Sequence, residues 1–529
     1  MSLSSRLQKL WISSLLLAAC LVCGSASAAQ PDAQPKTSQQ PLTALTVLSA
    51  DGLQKDVDLL RATLEQLHPG LYRYHSKAEM DAAFAKLRHD FARDQTLQEA
   101  FLRLTEFTAQ IRCGHTYPSF FNQSSAVTVA LFERSDRLPF YFRWIDGRMI
   151  VTRDFTPRHR LPAGTEVLSV NGIAAKAMLR RMLPLARSDG GNDAKRINEL
   201  QVQGVDNYEA ADIYLPMLFP HWRAPFQMQI KLSGASAKTQ VIENGVSFAQ
   251  RKQEGAALRS AQTDLPALFR MESLPNGSAL LTMPSWAMYQ STWGWKAWLE
   301  HALDEVVARQ APALIVDLRG NEGGDDVGAV ILRHLGGMEK NSEPAGHDQA
   351  PARLVRYRKV PPELLPYLNT WDRSIRDWGE RVTELAEPWP TAPPVHYFRR
   401  VPQVEEEDPT PKEETQRFRG KVFVLTDASN SSATFGFERT VQQQRLGLLV
   451  GEPTGGNQRG INGGSFFFLT LPHSGLEVDV PLIGYFPAKI EIDGGLQPDV
   501  PVHLSVDDVT RGVDPVLDTV RRLIANPAH

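Results

Sequence analysis

The chain has 529 residues, which is more than one ordinary domain requires and enough to bury a large hydrophobic core. Its formal net charge is −3 at pH 7, and it becomes −5 without residues 1–28, which hold Arg6 and Lys9 but no acidic residue. No basic stretch is long enough to follow a polyanion, so the sequence gives no support for nucleic acid as a partner.

Residues 1–28 have the three-part pattern of an export signal. The basic start precedes the apolar run Leu10–Cys23, and Ala26-Ser27-Ala28 is a small-residue cleavage site. The run is too short to span a bilayer comfortably. A second interpretation stays open, because Leu17–Cys20 resembles a bacterial lipobox, which would leave a lipid anchor on Cys20. We expect export to the bacterial periplasm or cell envelope, with the soluble form favoured over the lipoprotein.

The segment after the signal predicts a disordered linker followed by helices. Residues 29–47 are rich in Gln, Pro, Ser and Thr, which is typical of a linker. Residues 48–125 predict a helical region, in which apolar residues recur at helical spacing. Two capping-box patterns, Ser76 with Glu79 and Thr96 with Glu99, mark the starts of two helices. The last helix would end near "IRCGHTYP", which places His115 on the following loop.

Residues 126–260 predict a small β-rich module and its connection to the rest of the chain. "FYFRWIDGRMIVTRD" predicts a hairpin that turns at Asp146-Gly147. "LPAGTEVLSVNGIAAKAMLRRML" predicts a strand, a turn at Asn171-Gly172, a second strand and a helix. Cys113 is the only cysteine beyond Cys23, so the exported protein would have no internal disulfide and its core must suffice.

Residues 261–529 predict an α/β core, because strands and helices alternate there. "ALIVDLRG" is a continuous apolar run, as expected for a strand that is buried on both faces. Residues 340–418 hold Pro-rich and acidic tracts, and they predict a surface insertion with a helix around residues 361–386.

Two strand-to-helix junctions in this core could carry chemistry. "VFVLTDASNSSATFGF" places Ser431 and Ser432 where a strand gives way to a helix, and such a turn exposes a serine Oγ beside helix N–H groups. Helix capping is the alternative role for these serines. "DLRGNEGGDD" places Gly323 and Gly324 at the other junction, where glycines let backbone N–H groups approach a ligand oxygen. A tight turn is the alternative there.

Four motifs in order, "ALIVDLRGNEGG", "VFVLTDASNSSATFGF", "LLVGEPTGG" and "DGGLQPDVPV", resemble the successive motifs of the carboxyl-terminal processing (tail-specific) serine peptidases and their tricorn-core relatives. They cover about residues 270–505, and Gly164–Leu179 resembles the PDZ-like module of the same family. The resemblance implies a crotonase/ClpP-like layered ββα core in an α/β protein with an N-terminal helical region and a small PDZ-like β module. It also implies an exported serine peptidase that hydrolyses peptides or unfolded proteins.

The resemblance places the nucleophile on Ser432, with Ser431 as the alternative. Ala433 and Gly323 would supply the N–H groups of an oxyanion hole, with Gly324 beside them. The processing peptidases use a lysine base, but that position is Asn457 in this chain.

The base and the acid follow a different branch of the family. The tricorn-like branch uses a histidine from the N-terminal region, and "CGHTYP" fits it with His115 as the general base. That branch has a serine before its histidine, whereas this chain has Gly114, so that supporting hydrogen bond is absent. The acid of the relatives lies shortly before the "GxxPD" motif, where we favour Asp493 and keep Glu491 as the alternative. The acid would hold the imidazole in the right tautomer.

Other classes of function stay open at this point. The sequence has no HExxH, paired-cysteine or EF-hand motif, so no metal or other cofactor is expected. Retinoid-binding repeats share the fold without a known dependence on proteolysis, so a non-catalytic ligand- or peptide-binding protein is the alternative function. An acyl-thioester enzyme would share the oxyanion hole, but an export signal argues against it because CoA is cytoplasmic. Convergence of Ser432 and His115 would favour the peptidase.

Overall fold

A computed structural model describes residues 41–259, 269–289, 291–337, 351–401 and 412–526. The predicted signal segment, with the lipobox at Cys20, lies outside the described residues, as does most of the predicted linker. Leu42 and the described residues after it belong to a single structural unit. No helix in the described ranges is both long enough and apolar enough to cross a membrane.

The N-terminal helices begin where their capping residues predict. Both capping boxes form, because Ser76 and Thr96 each accept a hydrogen bond from the N–H of the third helical residue, whose carboxylate accepts one in return. The predicted linker ends earlier than expected, since residues 47–48 pair with a second short strand. The elements are β1 (Val47–Leu48), α1 (Ala50–Leu67), α2 (Lys77–Asp90), β2 (Gln95–Thr96), α3 (Leu97–Gln110) and α4 (Ser125–Leu131).

The β-rich module contains a six-stranded antiparallel sheet, and both turns that the sequence predicts are formed in it. Asp146, Gly147, Asn171 and Gly172 all have positive φ. The sheet order is β3-β4-β5-β7-β8, with β6 paired to β5. The elements are β3 (Phe140–Ile145), β4 (Arg148–Asp154), β5 (Glu166–Val170), β6 (Ile173–Ala174), α5 (Ala175–Met182), α6 (Asp193–Glu199), α7 (Ala210–Leu218), β7 (Phe226–Lys231), β8 (Thr239–Glu243) and α8 (Phe248–Arg259).

A six-stranded, mostly parallel sheet forms the core of the α/β part, in the order β20-β17-β16-β11-β10-β9. Only β9 runs antiparallel to its neighbour. The elements are β9 (Arg270–Ser273), β10 (Ala279–Thr282), α9 (Trp295–Ala308), β11 (Ala313–Asp317), α10 (Gly328–Leu335), β16 (Lys421–Thr426), α11 (Ser432–Gln443), β17 (Leu448–Gly451), β20 (Val500–Pro501), α12 (Val506–Arg511) and α13 (Pro515–Ala525).

The first four residues of the central strand β11, residues 313–316, are apolar because both faces of the strand are covered. Leu314 and Val316 pack into the cluster that α9, α10 and α11 share, whereas Ala313 and Ile315 pack into the cluster that includes α13. Its parallel partner is β16, and Asp317 lies beside Leu425 at the carboxyl ends of the two strands. The loops that follow β11 and β16 therefore leave the same edge of the sheet, where ligands bind in open α/β sheets.

The predicted surface insertion differs from the structure in two respects. The predicted helix around residues 361–386 does not form, because Pro361, Pro362 and Pro366 remove the N–H donors that a helix requires. The segment instead joins an antiparallel sheet with two later strands, in the order β13-β18-β19-β12-β15-β14. The strands are β12 (Ala352–Val355), β13 (Leu368–Asn369), β14 (Val382–Glu384), β15 (Phe398–Arg400), β18 (Asn462–Thr470) and β19 (Glu477–Phe486).

The insertion also contributes to the hydrophobic core. Ile375 and Trp378 are 2% and 1% exposed, and they belong to the same cluster as residues of α1 and α3. The insertion is therefore anchored in the core through Ile375 and Trp378, and its described residues are an integral part of the fold.

Candidate active site

The loops that follow β11 and β16 are in direct contact. A Cβ atom added at Gly323 would lie 2.7 Å from the Ser432 Cβ and 2.9 Å from the Ala433 N. Gly323 also has a φ of +99°, which side-chain-bearing residues rarely adopt. Only glycine lets the two loops approach this closely.

Two buried asparagines hold these loops together. The Asn321 Oδ1 accepts hydrogen bonds from the Gly323 N–H at 2.8 Å and from the Thr434 hydroxyl at 2.9 Å. The Asn430 side chain donates to the Leu318 carbonyl at 2.6 Å. Both asparagines are fully buried, so these bonds satisfy polar groups that water does not reach.

Ser432 differs from the other two serines of the turn. The Ser431 hydroxyl donates to the Glu322 carbonyl at 3.2 Å, and the Ser429 hydroxyl accepts from the Asn198 amide at 2.9 Å. The Ser432 Oγ has no hydrogen-bond partner among the residues that the structure describes. Ser432 also has a φ of +52° as the first residue of α11, and such backbone strain in a non-glycine residue clusters at functional sites.

Two backbone N–H groups belong to the residues that follow this contact in the sequence, Gly324 after Gly323 and Ala433 after Ser432. The Gly324 and Ala433 amides have no acceptor within the described part of the chain. The expectation for Gly323 requires correction, because its N–H already donates to Asn321. Gly323 therefore provides the close approach of the loops, whereas Gly324 and Ala433 have the free donors.

The loop of His115 is fixed through its backbone. The Gly114 N–H donates to the Asp189 Oδ1 at 2.9 Å, and the Gly114 carbonyl accepts from Arg187 at 2.8 Å. The His115 ring lies 5.8 Å from the ring of Phe466, centroid to centroid. Its Nδ1 is buried without a partner, and the ring forms no hydrogen bond with Ser432.

The surroundings of the His115 imidazole favour its neutral form, and burial is the main cause. Burial lowers the pKa of His115, and the Asp189 carboxylate opposes that effect. The Glu322 carboxylate raises the pKa of His115 as well, while its backbone carbonyl accepts from Ser431. His115 thus lies near the oxyanion and nucleophile loops in a form that can accept a proton.

The structure does not bring either predicted acid to His115. The Asp493 Oδ1 accepts from the Asn457 side chain at 2.8 Å, and Glu491 pairs with Arg439 at 3.9 Å. Neither carboxylate forms a hydrogen bond with the imidazole. Asn457, which stands where the relatives have lysine, directs Asp493 away from that role.

Asp189 is the acidic residue that the sequence analysis missed. The negative charge of its carboxylate raises the pKa of His115, and its Oδ1 accepts a hydrogen bond from the neighbouring Gly114 N–H. Asn457 donates to the backbone carbonyl of Asp189 at 2.9 Å, so the same amide supports both acids of this region. No local motif marks Asp189, because its loop meets the His115 loop only in the fold.

A cluster of four charged side chains joins the loops of the site, in which Lys195 is buried and the Glu322 side chain is 43% exposed. The Lys195 Nζ lies 2.6 Å from the Glu322 Oε1 and 3.0 Å from the Glu199 Oε1. The Arg187 Nη2 lies 2.8 Å from the Glu322 Oε2 and 3.3 Å from the Glu199 Oε1. Arg187 also contacts the His115 loop through Gly114. The two positive and two negative side chains balance each other, as buried charges require.

Lys195 contacts the turn that carries Ser432, and its surroundings favour the protonated form, which is not a base. Its ammonium donates to the Ser429 carbonyl at 3.2 Å, beside the nucleophile. Burial alone would lower the pKa of Lys195, yet the carboxylates of Glu322 and Glu199 raise it above its ordinary value. Lys195 therefore stays protonated and holds the turn. The sequence contains only one hint of this role, the four-residue spacing of Lys195 and Glu199.

In the ranges that the structure covers, no three His, Cys, Asp or Glu side chains are placed to hold a metal ion.

Comparison with known proteins gives a family and a fold. Residues 277–502 match the family model of Peptidase family S41. No curated protein sequence matches the chain. The crystal structure of mature CPAF superposes with a TM-score of 0.56 at 14% identity, over 90% of this chain and 97% of that chain.

Two further solved structures are similar to this chain. CPAF complexed with lactacystin matches with a TM-score of 0.55 at 14% identity, over 90% of this chain and 98% of that one. The photosystem II D1 C-terminal processing protease matches with a TM-score of 0.40 at 13% identity, over 91% of this chain and 99% of that chain. At these identities the CPAF structures show the mixed α/β fold alone, and the family model covers β10 through β20.

The charge cluster gives a stability prediction. Replacing Lys195 with Met leaves the mostly buried Glu199 and the half-exposed Glu322 each short of one cationic partner, so we expect the free energy of unfolding to fall by about 1–3 kcal/mol in urea titrations. The matched control is Lys55→Met, which removes a solvent-exposed pair with Asp51 and should change stability little. Equal effects of the two substitutions would contradict a structural role for the cluster.

Proposed function

Because this chain is a serine peptidase of family S41, we propose that it hydrolyses peptide bonds through an acyl-enzyme on Ser432, with His115 as the general base. One observation carries the assignment of the nucleophile. Of the three serines in the turn, Ser432 alone combines a left-handed backbone with a hydroxyl that no described residue binds. The amides of Gly324 and Ala433, the residues that follow Gly323 and Ser432, have no acceptor in the described part of the chain.

The proposed reaction follows the chemistry of an acyl-enzyme. His115 takes the proton of the Ser432 hydroxyl as the oxygen attacks the substrate carbonyl, and the amides of Gly324 and Ala433 stabilise the oxyanion that forms. The imidazolium then gives its proton to the leaving amine. Water enters, His115 activates it in the same way, and hydrolysis of the ester restores the free serine.

A histidine base requires that His115 engage Ser432 during the reaction. The two side chains form no hydrogen bond in this structure. Catalytic hydrogen bonds are often long without substrate and shorten in the substrate complex. This base is the one that the tricorn-like branch uses, and the positive charge of Lys195 leaves it without a lysine competitor at the turn.

In this proposal Asp189, rather than Asp493 or Glu491, stabilises the imidazolium. Asp189 faces the His115 loop and its negative charge favours the protonated ring. Asp493 supports the site indirectly, through its hydrogen bond with Asn457.

Replacing Ser432 with Ala should abolish the hydrolysis of denatured casein. Loss of a nucleophile typically reduces kcat by about 10⁴-fold or more. Ser431→Ala is the matched control, since it removes a neighbouring hydroxyl that is bound to a backbone carbonyl. The assignment is wrong if Ser431→Ala loses activity while Ser432→Ala retains it. Circular dichroism should show both variants folded.

The pH dependence of kcat/KM tests the base. His115 must be neutral to accept the proton, so activity rises with pH through its pKa, which burial places below the ordinary value of about 6.5. The Asp189 charge raises that pKa, so Asp189→Asn should move the acidic limb to lower pH and reduce the plateau rate. Asp493→Asn should leave the limb in place. Full activity in His115→Ala would exclude this histidine as the base.

We also propose a finer account of the fold. The parallel sheet and its helices form a crotonase/ClpP-like layered core, and residues 126–260 hold a PDZ-like module that binds an extended peptide by strand addition. The supporting observation is that β8 ends the order of the module's sheet and alternates exposed with buried side chains.

The edge strand gives a test of the module. A lysine in place of Ile242, which is 54% exposed on β8, disfavours pairing with a further strand. Ile242→Lys should raise the KM for a long unfolded protein and leave cleavage of short peptides unchanged. Leu45→Lys is the control for a new surface charge. An unchanged KM for the long substrate would refute strand addition at β8.

We propose that the protein is exported to the bacterial periplasm or cell envelope. The soluble form is favoured, and a lipid on Cys20 is the alternative. The motivating pattern is the basic start, apolar run and Ala26-Ser27-Ala28 of residues 1–28. Protein isolated from its native host should begin at Ala29 or at a lipid-modified Cys20, and an intact Met1 would refute export.

A non-catalytic ligand- or peptide-binding protein on the same fold is the second candidate. The absence of a hydrogen bond between His115 and Ser432 in this structure favours it. This candidate predicts that wild type and Ser432→Ala bind peptides equally and that neither cleaves them.

A further inference from the structure

Aromatic side chains from separate chain segments, two of them exposed, form a chain of ring contacts that reaches His115. Tyr289 and Trp371 are 59% and 64% exposed, and their rings stack with centroids 5.7 Å apart and planes 26° apart. Trp371 also contacts Phe468, at 4.7 Å, and Phe466, at 6.4 Å. Phe466 in turn lies 5.8 Å from the His115 ring. We name Tyr289, Trp371, Phe466 and Phe468 the aromatic platform.

The other end of the platform adjoins the loop that carries the free amide of Gly324. The Trp286 N–H donates to the Gly323 carbonyl at 3.2 Å, and the Asp325 N–H donates to the Trp286 carbonyl at 2.8 Å. Tyr289 follows three residues after Trp286. The platform therefore extends from the segment that pairs with the Gly324 loop to the ring of the proposed base, His115.

The platform is held in place before any substrate binds. Trp371 comes from the insertion, whose Ile375 and Trp378 are buried in the core. Phe466 and Phe468 lie on β18, which pairs with β19 over most of its length. An aromatic side chain has few rotamers, so little conformational entropy is lost when a preformed platform receives a ligand.

Two exposed, stacked aromatic rings leave apolar surface in water, which is unfavourable unless a ligand covers it. We infer that the aromatic platform is a substrate subsite that receives a large apolar or aromatic side chain of the peptide, next to the scissile bond. The inference rests on the proposed function, since it names a substrate preference of the same site. A cationic side chain is the competing occupant, because aromatic faces also attract cations.

Paired peptides test this preference. The peptides are identical except for Phe, Leu, Ser or Lys, placed in turn at each of the two positions that flank the scissile bond. At one of these positions wild type should cleave the Phe peptide with a kcat/KM at least about tenfold above that of the Ser peptide. Trp371→Ala and Tyr289→Ala should reduce that ratio severalfold, mainly through KM for the Phe peptide, and leave the Ser peptide unchanged.

Matched variants separate the subsite from a general effect on the fold. Trp371→Phe keeps an aromatic ring and should retain most of the preference. Leu45→Ala removes apolar surface that is 73% exposed at the N-terminal end of the described chain, and it should leave the ratio unchanged. A ratio that is the same in wild type and Trp371→Ala would overturn the inference, as would a preference for Lys over Phe at both positions.

A binding measurement decides the inference even without turnover. Ser432→Ala protein should bind the Phe peptide at least about tenfold more tightly than the Ser peptide in calorimetry, and Trp371→Ala in that background should remove the difference. If wild type cleaves no peptide, the proposed function fails, and equal affinities for the two peptides would overturn the subsite separately.

Discussion

The site depends on the close contact of two loops at the carboxyl ends of neighbouring parallel strands. Because β11 and β16 pair in parallel, the loops after them leave one edge of the sheet together. Gly323 has no side chain and so lets its loop touch Ser432, and Asn321 satisfies the Gly323 amide that this contact buries. The amides of Gly324 and Ala433, the residues that follow Gly323 and Ser432, have no acceptor in the described part of the chain, and the proposed oxyanion hole uses them.

The charge cluster joins this pair of loops to the His115 loop. Arg187 and Lys195 both reach Glu322, next to Gly323, while Arg187 binds the Gly114 carbonyl and Lys195 the Ser429 carbonyl. Such a cluster is weak evidence for stability, since desolvation opposes the attraction of the charges. The cluster fixes the relative positions of three loops that are distant in sequence, those of Gly114, Glu322 and Ser429, because all three contact Arg187 or Lys195. It also raises the pKa of Lys195, which is consistent with the proposal that His115 is the proton acceptor.

Much of the core could be predicted because its signals are local. A strand covered on both faces is apolar along its buried length, as β11 is over residues 313–316, and the turn that carries Ser432 follows a second such strand, β16. The capping boxes at Ser76 and Thr96 are likewise contained within four residues.

The errors concern features that only the tertiary structure determines. The insertion segment has apolar residues at mixed spacing, and its prolines and its pairing with β18 and β19 decide against a helix. Asp493 has the expected position in sequence, but Asn457 binds it, and Asp189 approaches His115 from a loop without any motif. The Gly323 amide was assigned to the oxyanion hole because the pattern of glycines does not reveal that Asn321 folds back onto it.

Covalent labelling with a fluorophosphonate probe tests the central claim most directly. The probe reacts with an activated serine, and mass spectrometry of the digested protein identifies the residue that carries it. The account predicts a single modification on Ser432, which weakens at pH values where His115 becomes protonated. Modification of Ser431 or another serine, or no modification of the folded protein at any pH, would contradict it.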